Sequence, residues 1–234
     1  MWLAGLAAFA GAAVQSATGL GFALVLTPAL FAAMDDPAEA VTAVLFLGAA
    51  LCVLVLVESR GVATHGLARL LVPAAPGLGV GVLLLTALSK ESLQVGVGVA
   101  VAAAAAWQLR HRATVRLPAA AAGFLSGALT TSISVNGPPL ALWLESEGVS
   151  PARFRTTLAA AFLILDVAGI ALIVSREGTG VIDAGTLGPL LACVFAGYAL
   201  GAVGFRRIDA ERFSTVVLVV VICTGVASVV AGLV

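Results

Sequence analysis

Charged residues are scarce in this sequence. Only 10% of its 234 residues are Asp, Glu, Lys or Arg, whereas a soluble domain contains about 25%. The twelve basic and twelve acidic residues balance, so the chain offers no basic patch on which a nucleic acid could bind. This composition predicts an integral membrane protein with no soluble domain and no nucleic-acid partner.

Cysteine and histidine are also few. Cys52, Cys193 and Cys223 lie singly in apolar segments, where they are expected to be small buried hydrophobic residues and not metal or redox ligands. The two histidines, His65 and His111, fall in loops. An intramembrane hydrolase needs a base at membrane depth, and no histidine is placed there. We therefore expect no catalytic residue, metal or cofactor, and keep a hydrolase as the weaker alternative.

Long apolar runs are what the chain does contain. Hydrophobic residues make up 61% of it, and the mean hydropathy is +1.15. A helix needs about 20 apolar residues to cross a bilayer. Eight segments qualify, at approximately 2–34, 37–57, 67–88, 92–109, 117–144, 156–175, 184–205 and 213–234. They predict an all-α polytopic membrane protein, and the uncharged start of the chain does not look like a removable signal peptide.

The two halves of the chain share an order of small, polar and proline residues. "FAGAAVQSATGLGF" (9–22) aligns with "LSGALTTSISVNGP" (125–138), which places Gly21 on Gly137 at an offset of 116 residues. In the following segment the offset falls to 114, with Pro37 on Pro151. Internal similarity of this kind indicates a repeat architecture.

The first apolar segment of each half is too long for one crossing. A continuous helix over residues 2–34 would measure ~50 Å, well beyond a hydrocarbon core of ~30 Å. Gly19 and Gly21 permit a break in the first segment, and the prolines of "VNGPP" favour one in the second. We predict that each half is a broken, re-entrant helical hairpin followed by three transmembrane helices, with repeats at 1–112 and 113–234.

The distribution of basic residues favours this topology. Eight full crossings would place six Lys or Arg residues on each side, whereas two re-entrant hairpins place ten on one side and two on the other. Cytoplasmic loops are enriched in Lys and Arg, so the hairpin topology predicts that both termini lie outside. Three crossings per half also make the second repeat inverted, as in many secondary transporters.

The two breaks predict a polar site near the membrane midplane. Irregular backbone at membrane depth is tolerated only where protein or an aqueous cavity covers it, and the free N–H groups at a helix N-terminus attract anions. The expected lining is Gln15, Ser16, Thr18, Thr130, Thr131, Ser132, Ser134 and Asn136. Alternatively, the hydroxyl groups bond to their own helix backbone and the small residues serve helix packing.

Two charged residues are candidates for roles beside this site. Asp166 is the only acid deep within a crossing, so it is either a proton-coupling group or a partner for a neighbouring helix. Arg155 lies just after the second hairpin, where it either draws an anion into an inner vestibule or simply anchors the helix on the cytoplasmic side.

The residues of the two hairpins resemble a known family. "LTPALF" at the end of the first and "GFLSGALTTSISVNGPPLALWL" in the second resemble the sulfite exporter TauE/SafE family of membrane permeases. The resemblance implies a bacterial or archaeal cytoplasmic-membrane protein that moves sulfite, thiosulfate or an organosulfonate. It also implies a substrate path through Gly19, Gly21, Asn136, Gly137 and Pro138.

The combined prediction is a secondary transporter, in the direction of export, that works by alternating access around a midplane site. Its expected partners are a small anion, the lipid bilayer and H⁺ as a candidate coupling ion. An anion channel built on the same pocket and a structural or assembly role stay open as alternatives, and the oligomeric state is not predicted.

Overall fold

The chain folds into helices in a computed structural model that describes residues 1–60, 62, 64–109, 117–181 and 184–204. The described helices are α1 (Trp2–Thr18), α2 (Phe22–Ala33), α3 (Pro37–Glu58), α4 (Leu67–Ala87), α5 (Lys90–Leu109), α6 (Ala119–Ile133), α7 (Gly137–Ser146), α8 (Pro151–Glu177) and α9 (Ala184–Gly204), with a 3₁₀ turn at Thr179–Val181. No strand occurs among these residues, which confirms the all-α class. The predicted segment 213–234, together with His111 and Cys223, lies outside the described residues.

Within the described part of the chain, four helices are long and apolar enough to span a membrane: α3, α4, α8 and α9 as far as Ala202. By contrast, α1, α2 and α6 are apolar but shorter, at 17, 12 and 15 residues. Such lengths correspond to roughly 18–25 Å of helix. The short helices are the arms of the two segments that were predicted to be broken.

Both predicted helix breaks are present. Gly19 and Gly21, with φ of +83° and +121°, separate α1 from α2, and this left-handed region is one that glycine enters without steric cost. A Cβ on Gly11 would lie 3.0 Å from the carbonyl oxygen of Phe22, although a continuous helix would hold these residues ~16 Å apart. The chain therefore reverses direction and α2 packs back along α1.

The second break begins one turn of chain before the prolines. Ser134 adopts φ +60° at the end of α6, the only described non-glycine residue with a positive φ. Helix α7 then starts at Gly137 with proline in its first turn, where the missing N–H costs no helical hydrogen bond. The break thus covers residues 134–136 and ends where the sequence "NGPP" predicted.

Helices α3 and α8 form an antiparallel pair at the centre of the molecule. Gly48 faces Asp166 near the middle of both helices, and the last residue of α3, Glu58, pairs with Arg155 in the first turns of α8. The returning arm α2 is enclosed by this core, because Phe22, Leu26 and Leu30 are at most 1% exposed. The returning arm that follows the break is accordingly buried in protein.

Helix α4 packs on α6 through glycines. A Cβ on Gly77 would overlap the carbonyl oxygen of Phe124, and a Cβ on Gly81 would overlap that of Ala128. Small residues four positions apart let two helix backbones approach closely, as is common in membrane proteins. This contact holds the first arm of the second hairpin against the first half of the chain.

Helix α9 packs on α1 in the same way. Gly197 approaches the carbonyl oxygen of Phe9, and Gly201 approaches that of Ala13. In both interfaces, two glycines four positions apart approach two carbonyl groups that are also four positions apart. Each hairpin is therefore clamped by a glycine-bearing helix of the other half.

Replacing Gly77 by Ala tests this packing. The new methyl group would meet a backbone carbonyl that cannot move aside, so we expect a loss of about 1–3 kcal/mol in the free energy of unfolding, as for other overpacked interiors. The measurement is the thermal unfolding midpoint of the purified protein in detergent.

Gly79→Ala is the matched control. Gly79 lies in the same helix, and a Cβ there would meet nothing within 4 Å. Its midpoint should stay at or slightly above that of the unaltered protein, because Ala favours a helix over Gly by about 1 kcal/mol. Equal midpoints for the two variants would contradict the close packing of α4 on α6.

Candidate functional site

The two hairpin tips overlap instead of meeting end to end. A Cβ on Gly19 would lie 3.2 Å from Cα of Arg155, in the first turns of α8. At the opposite end of the α3–α8 pair, the Ser134 hydroxyl donates to the carbonyl oxygen of Val41, 3.3 Å away. Each tip therefore passes the centre of the molecule and docks on a long helix of the other half.

This overlap brings the first turns of the two returning arms together at the centre. Leu20 abuts Gly137 there, and a small cavity lies between α2 and α7. Its lining includes Gln15, Gly21, Phe22, Ala23, Leu24, Gly48, Cys52, Ser134, Asn136, Gly137, Phe162 and Asp166. The cavity volume is ≈ 20 Å³, which is room for about one water molecule.

Asn136 connects the second break to the buried acid. The side-chain amide of Asn136 donates to Oδ1 of Asp166 at 3.2 Å. The backbone carbonyl oxygen of Asn136 accepts from the Ser126 hydroxyl at 2.9 Å. Asn136 and Asp166 are each only 5% exposed. The amide thus has a fixed orientation, and the carboxyl group of α8 lies at the wall of the cavity.

Gln15 makes the corresponding connection for the first break. The side-chain oxygen of Gln15, Oε1, accepts from the backbone N–H of Phe22 at 3.3 Å. The side-chain nitrogen, Nε2, faces Sγ of Cys52 at 3.6 Å. The first N–H of α2 is therefore satisfied by a side chain of α1. Both breaks present an amide side chain to the same enclosed space.

The two returning arms offer different numbers of backbone donors to the cavity. The first turn of α2 contains Ala23 and Leu24, which both line the cavity and lie where helix N–H groups have no intrahelical partner. The first turn of α7 contains Pro138 and Pro139, which have no N–H. The backbone N–H donors that face the cavity, and with them the positive end of a helix dipole, are therefore supplied mainly by α2.

No Lys or Arg is among the described residues that line the cavity. An anion held there would be bound by N–H dipoles and side-chain amides at a helix N-terminus. The single carboxyl group would repel an anion while ionised and could donate a hydrogen bond once protonated. The chemistry of the cavity therefore suits a small oxyanion accompanied by a proton.

Six of the predicted site residues line this cavity: Gln15, Gly21, Ser134, Asn136, Gly137 and Asp166. Gly19 and Arg155 lie against each other at the first hairpin tip, outside it. Thr18 is also at that tip, where its hydroxyl contacts the carbonyl oxygens of Val14 and Leu20 and stabilises the turn.

The remaining predicted hydroxyl groups bond to helix backbone. Ser16 donates to the carbonyl oxygen of Ala13 and faces α9, and Thr131 donates across the interface to that of Leu78 at 2.7 Å. Thr130 and Ser132 donate to carbonyl oxygens four residues earlier in α6. These four hydroxyl groups therefore bond to helix backbone, as the alternative interpretation of the sequence predicted.

Ten of the sixteen lining residues were not predicted, among them Phe22, Gly48, Cys52 and Phe162. A signal for the last three was available in the repeat. At the offset of 114 residues that relates α3 to α8, Gly48 aligns with Phe162 and Cys52 aligns with Asp166. In each of these two aligned pairs, one cavity-lining residue comes from α3 and the other from α8.

Comparison with protein families gave one match over nearly the whole chain. The family model described as Sulfite exporter TauE/SafE matches residues 3–228, a span that includes both hairpins and the cavity. Comparisons with curated proteins and with solved structures gave no match.

Gly48→Ala tests whether the cavity binds an anion. The methyl group would lie 3.0 Å from Oδ2 of Asp166 and would take up space that a ligand needs. We expect the apparent affinity for sulfite, measured as the sulfite-dependent rise in the thermal unfolding midpoint, to fall at least fivefold, which corresponds to about 1 kcal/mol.

Gly188→Ala is the control, because Gly188 lies in α9 and a Cβ there meets nothing within 4 Å. Its sulfite response should match that of the unaltered protein. An unchanged response in Gly48→Ala would place the anion site elsewhere.

Proposed function

The chain belongs to the sulfite exporter TauE/SafE family, and from that membership we propose that it exports a small sulfur-containing anion through the cavity between its hairpins. The observation that carries the proposal is the convergence of two helix breaks, from separate halves of the chain, on one buried cavity. Unpaired backbone N–H groups in a dry interior are costly, and an oxyanion is a ligand that satisfies them.

An inverted repeat is part of the proposal, with halves at 1–112 and 113–234. It is supported by the exchange of packing partners, in which α4 clamps α6 as α9 clamps α1. Helices α3 and α8, which correspond to each other, pack antiparallel, as a two-fold axis in the membrane plane requires. The basic residues then place both termini outside the cytoplasmic membrane.

The size of the cavity supports alternating access as the transport mechanism. A volume of ≈ 20 Å³ holds about one water, so an anion with three oxygens needs one hairpin to move away. The two tips dock at opposite ends of the α3–α8 pair, beside Arg155 and Val41. Release of one tip opens the cavity to one side while the other tip stays closed.

Asp166 couples a proton to the anion in this mechanism. An ionised carboxylate bonded to Asn136 would repel an oxyanion in the same cavity, whereas the protonated carboxyl group removes that repulsion. Export of a divalent anion with one proton moves one net negative charge outward. A membrane potential that is negative inside favours this movement by about 2.3 kcal/mol per 100 mV.

Flux measurements in proteoliposomes test the proposal. We expect saturable uptake of labelled sulfite, thiosulfate or sulfoacetate that accumulates against its own gradient when a pH gradient is applied. A flux that never exceeds the electrochemical gradient of the anion would indicate a channel, and the absence of flux with all three anions would contradict the proposal.

Asp166→Asn tests the coupling role. The amide keeps the size of the carboxyl group and can still bond to Asn136, but it cannot release a proton. We expect the variant to retain anion binding and anion exchange. Its flux driven by a pH gradient should fall by at least about tenfold.

Asp35→Asn is the control for this variant. Asp35 lies in the loop before α3 and contacts Lys90 at 3.7 Å. It is not among the residues that line the cavity. Its pH-driven flux should equal that of the unaltered protein. If Asp166→Asn keeps its full pH-driven flux, the carboxyl group plays no part in coupling.

A further inference from the structure

A polar cluster lies beside the tip of the first hairpin. Nη2 of Arg155 donates to Oε2 of Glu58 at 2.7 Å, and the hydroxyl of Tyr198 donates to the same oxygen at 2.9 Å. These residues come from α8, α3 and α9. The cluster therefore joins three helices where the hairpin tip docks.

Arg155 also forms the surface on which the tip rests. A Cβ on Gly19 would lie 3.2 Å from both Cα and Cγ of Arg155, so the backbone of the break is pressed against the stem of this side chain. Nε of Arg155 is buried and has no hydrogen-bond partner. The guanidinium group consequently holds the tip in place with part of its donor capacity unused.

The opposite tip is held differently. Ser134 makes one 3.3 Å hydrogen bond, to the backbone of Val41, which aligns with Arg155 at an offset of 114 residues. At the same offset Glu58 aligns with Leu172, an apolar residue. The ion pair of Arg155 with Glu58 therefore has no counterpart at the aligned positions beside the second tip, Val41 and Leu172.

We propose that Arg155, Glu58 and Tyr198 form a latch on the first hairpin that opens when the transported anion displaces Glu58 from Arg155. This inference rests on the proposed function and adds the residues that admit the anion. A guanidinium group binds an oxyanion side-on through two parallel N–H donors, so an anion at Arg155 would accept from both Nε and Nη2. Arg155 then loses its bond to α3, the surface on which the tip rests can shift, and the cavity opens at this end.

Cys52 is a natural reporter of the latch. It lines the cavity and is 0% exposed while the tip is closed, so a thiol reagent reaches it only after the tip moves. The experiment uses the full-length chain with Cys193→Ala and Cys223→Ala as background. The rate of modification by N-ethylmaleimide is followed by mass spectrometry without any candidate anion present.

Glu58→Gln and Arg155→Gln should each label at least about fivefold faster than the background, because a neutral side chain removes a charge-assisted hydrogen bond. Tyr198→Phe, which removes only the hydroxyl, should give a smaller increase. Glu147→Gln is the matched control, since it neutralises the acid of a different ion pair, with His65 at 3.0 Å, and it should label at the background rate.

The Michaelis constant for sulfoacetate flux separates anion recognition from a simple structural latch. Glu58→Gln should lower KM about fivefold, because it removes the group that competes with the anion, whereas Arg155→Gln should raise KM by at least as much. The two variants thus open the latch alike and change KM in opposite directions.

Labelling of Glu58→Gln and Tyr198→Phe at the background rate would overturn the latch. Faster labelling with KM shifted in the same direction in both charge variants would overturn the displacement by an anion. Flux that is absent even in the background would refute the proposed transport function instead, while the labelling rates would still decide whether the tip is latched.

Discussion

The structure depends on the need to cover every backbone N–H and C=O group of a helix that stops inside a membrane. Two chain segments are interrupted, at residues 19–21 and 134–136, and lipid cannot supply the missing hydrogen bonds. The protein satisfies them locally: Gln15 accepts from the N–H of Phe22, and Ser126 donates to the carbonyl oxygen of Asn136. The residues on both sides of the two breaks line one cavity.

Close helix packing makes this coverage possible. The hairpins can overlap because Gly77 and Gly81 let α4 approach α6, and Gly197 lets α9 approach α1. Larger side chains would keep these backbones apart and leave space that only lipid or water could fill. The absence of bulk on α4 and α9 is therefore as important to the site as the polar groups on the hairpins.

The sequence predicts the breaks well and the orientation of the side chains poorly. Gly19, Gly21 and the prolines after Asn136 act through local backbone chemistry, which can be recognised without a tertiary structure. Whether Thr131 faces the cavity or α4 depends on the rotation of α6 against its neighbours, and one residue along a helix turns a side chain by 100°. Hydroxyl groups in apolar helices bond equally well to backbone, so their presence alone does not mark a site.

The two halves of the chain contribute different chemical groups to the cavity, although the helices around it correspond in pairs. In the proposed repeat, Asp166 of α8 corresponds to Cys52 of α3, and Phe22 and Ala23 of α2, which carry backbone N–H groups, correspond to Pro138 and Pro139 of α7. The acid thus comes from one half and the backbone donors come mainly from the other. In the proposed mechanism, this division lets a single anion and a single proton occupy the cavity without competing for the same groups.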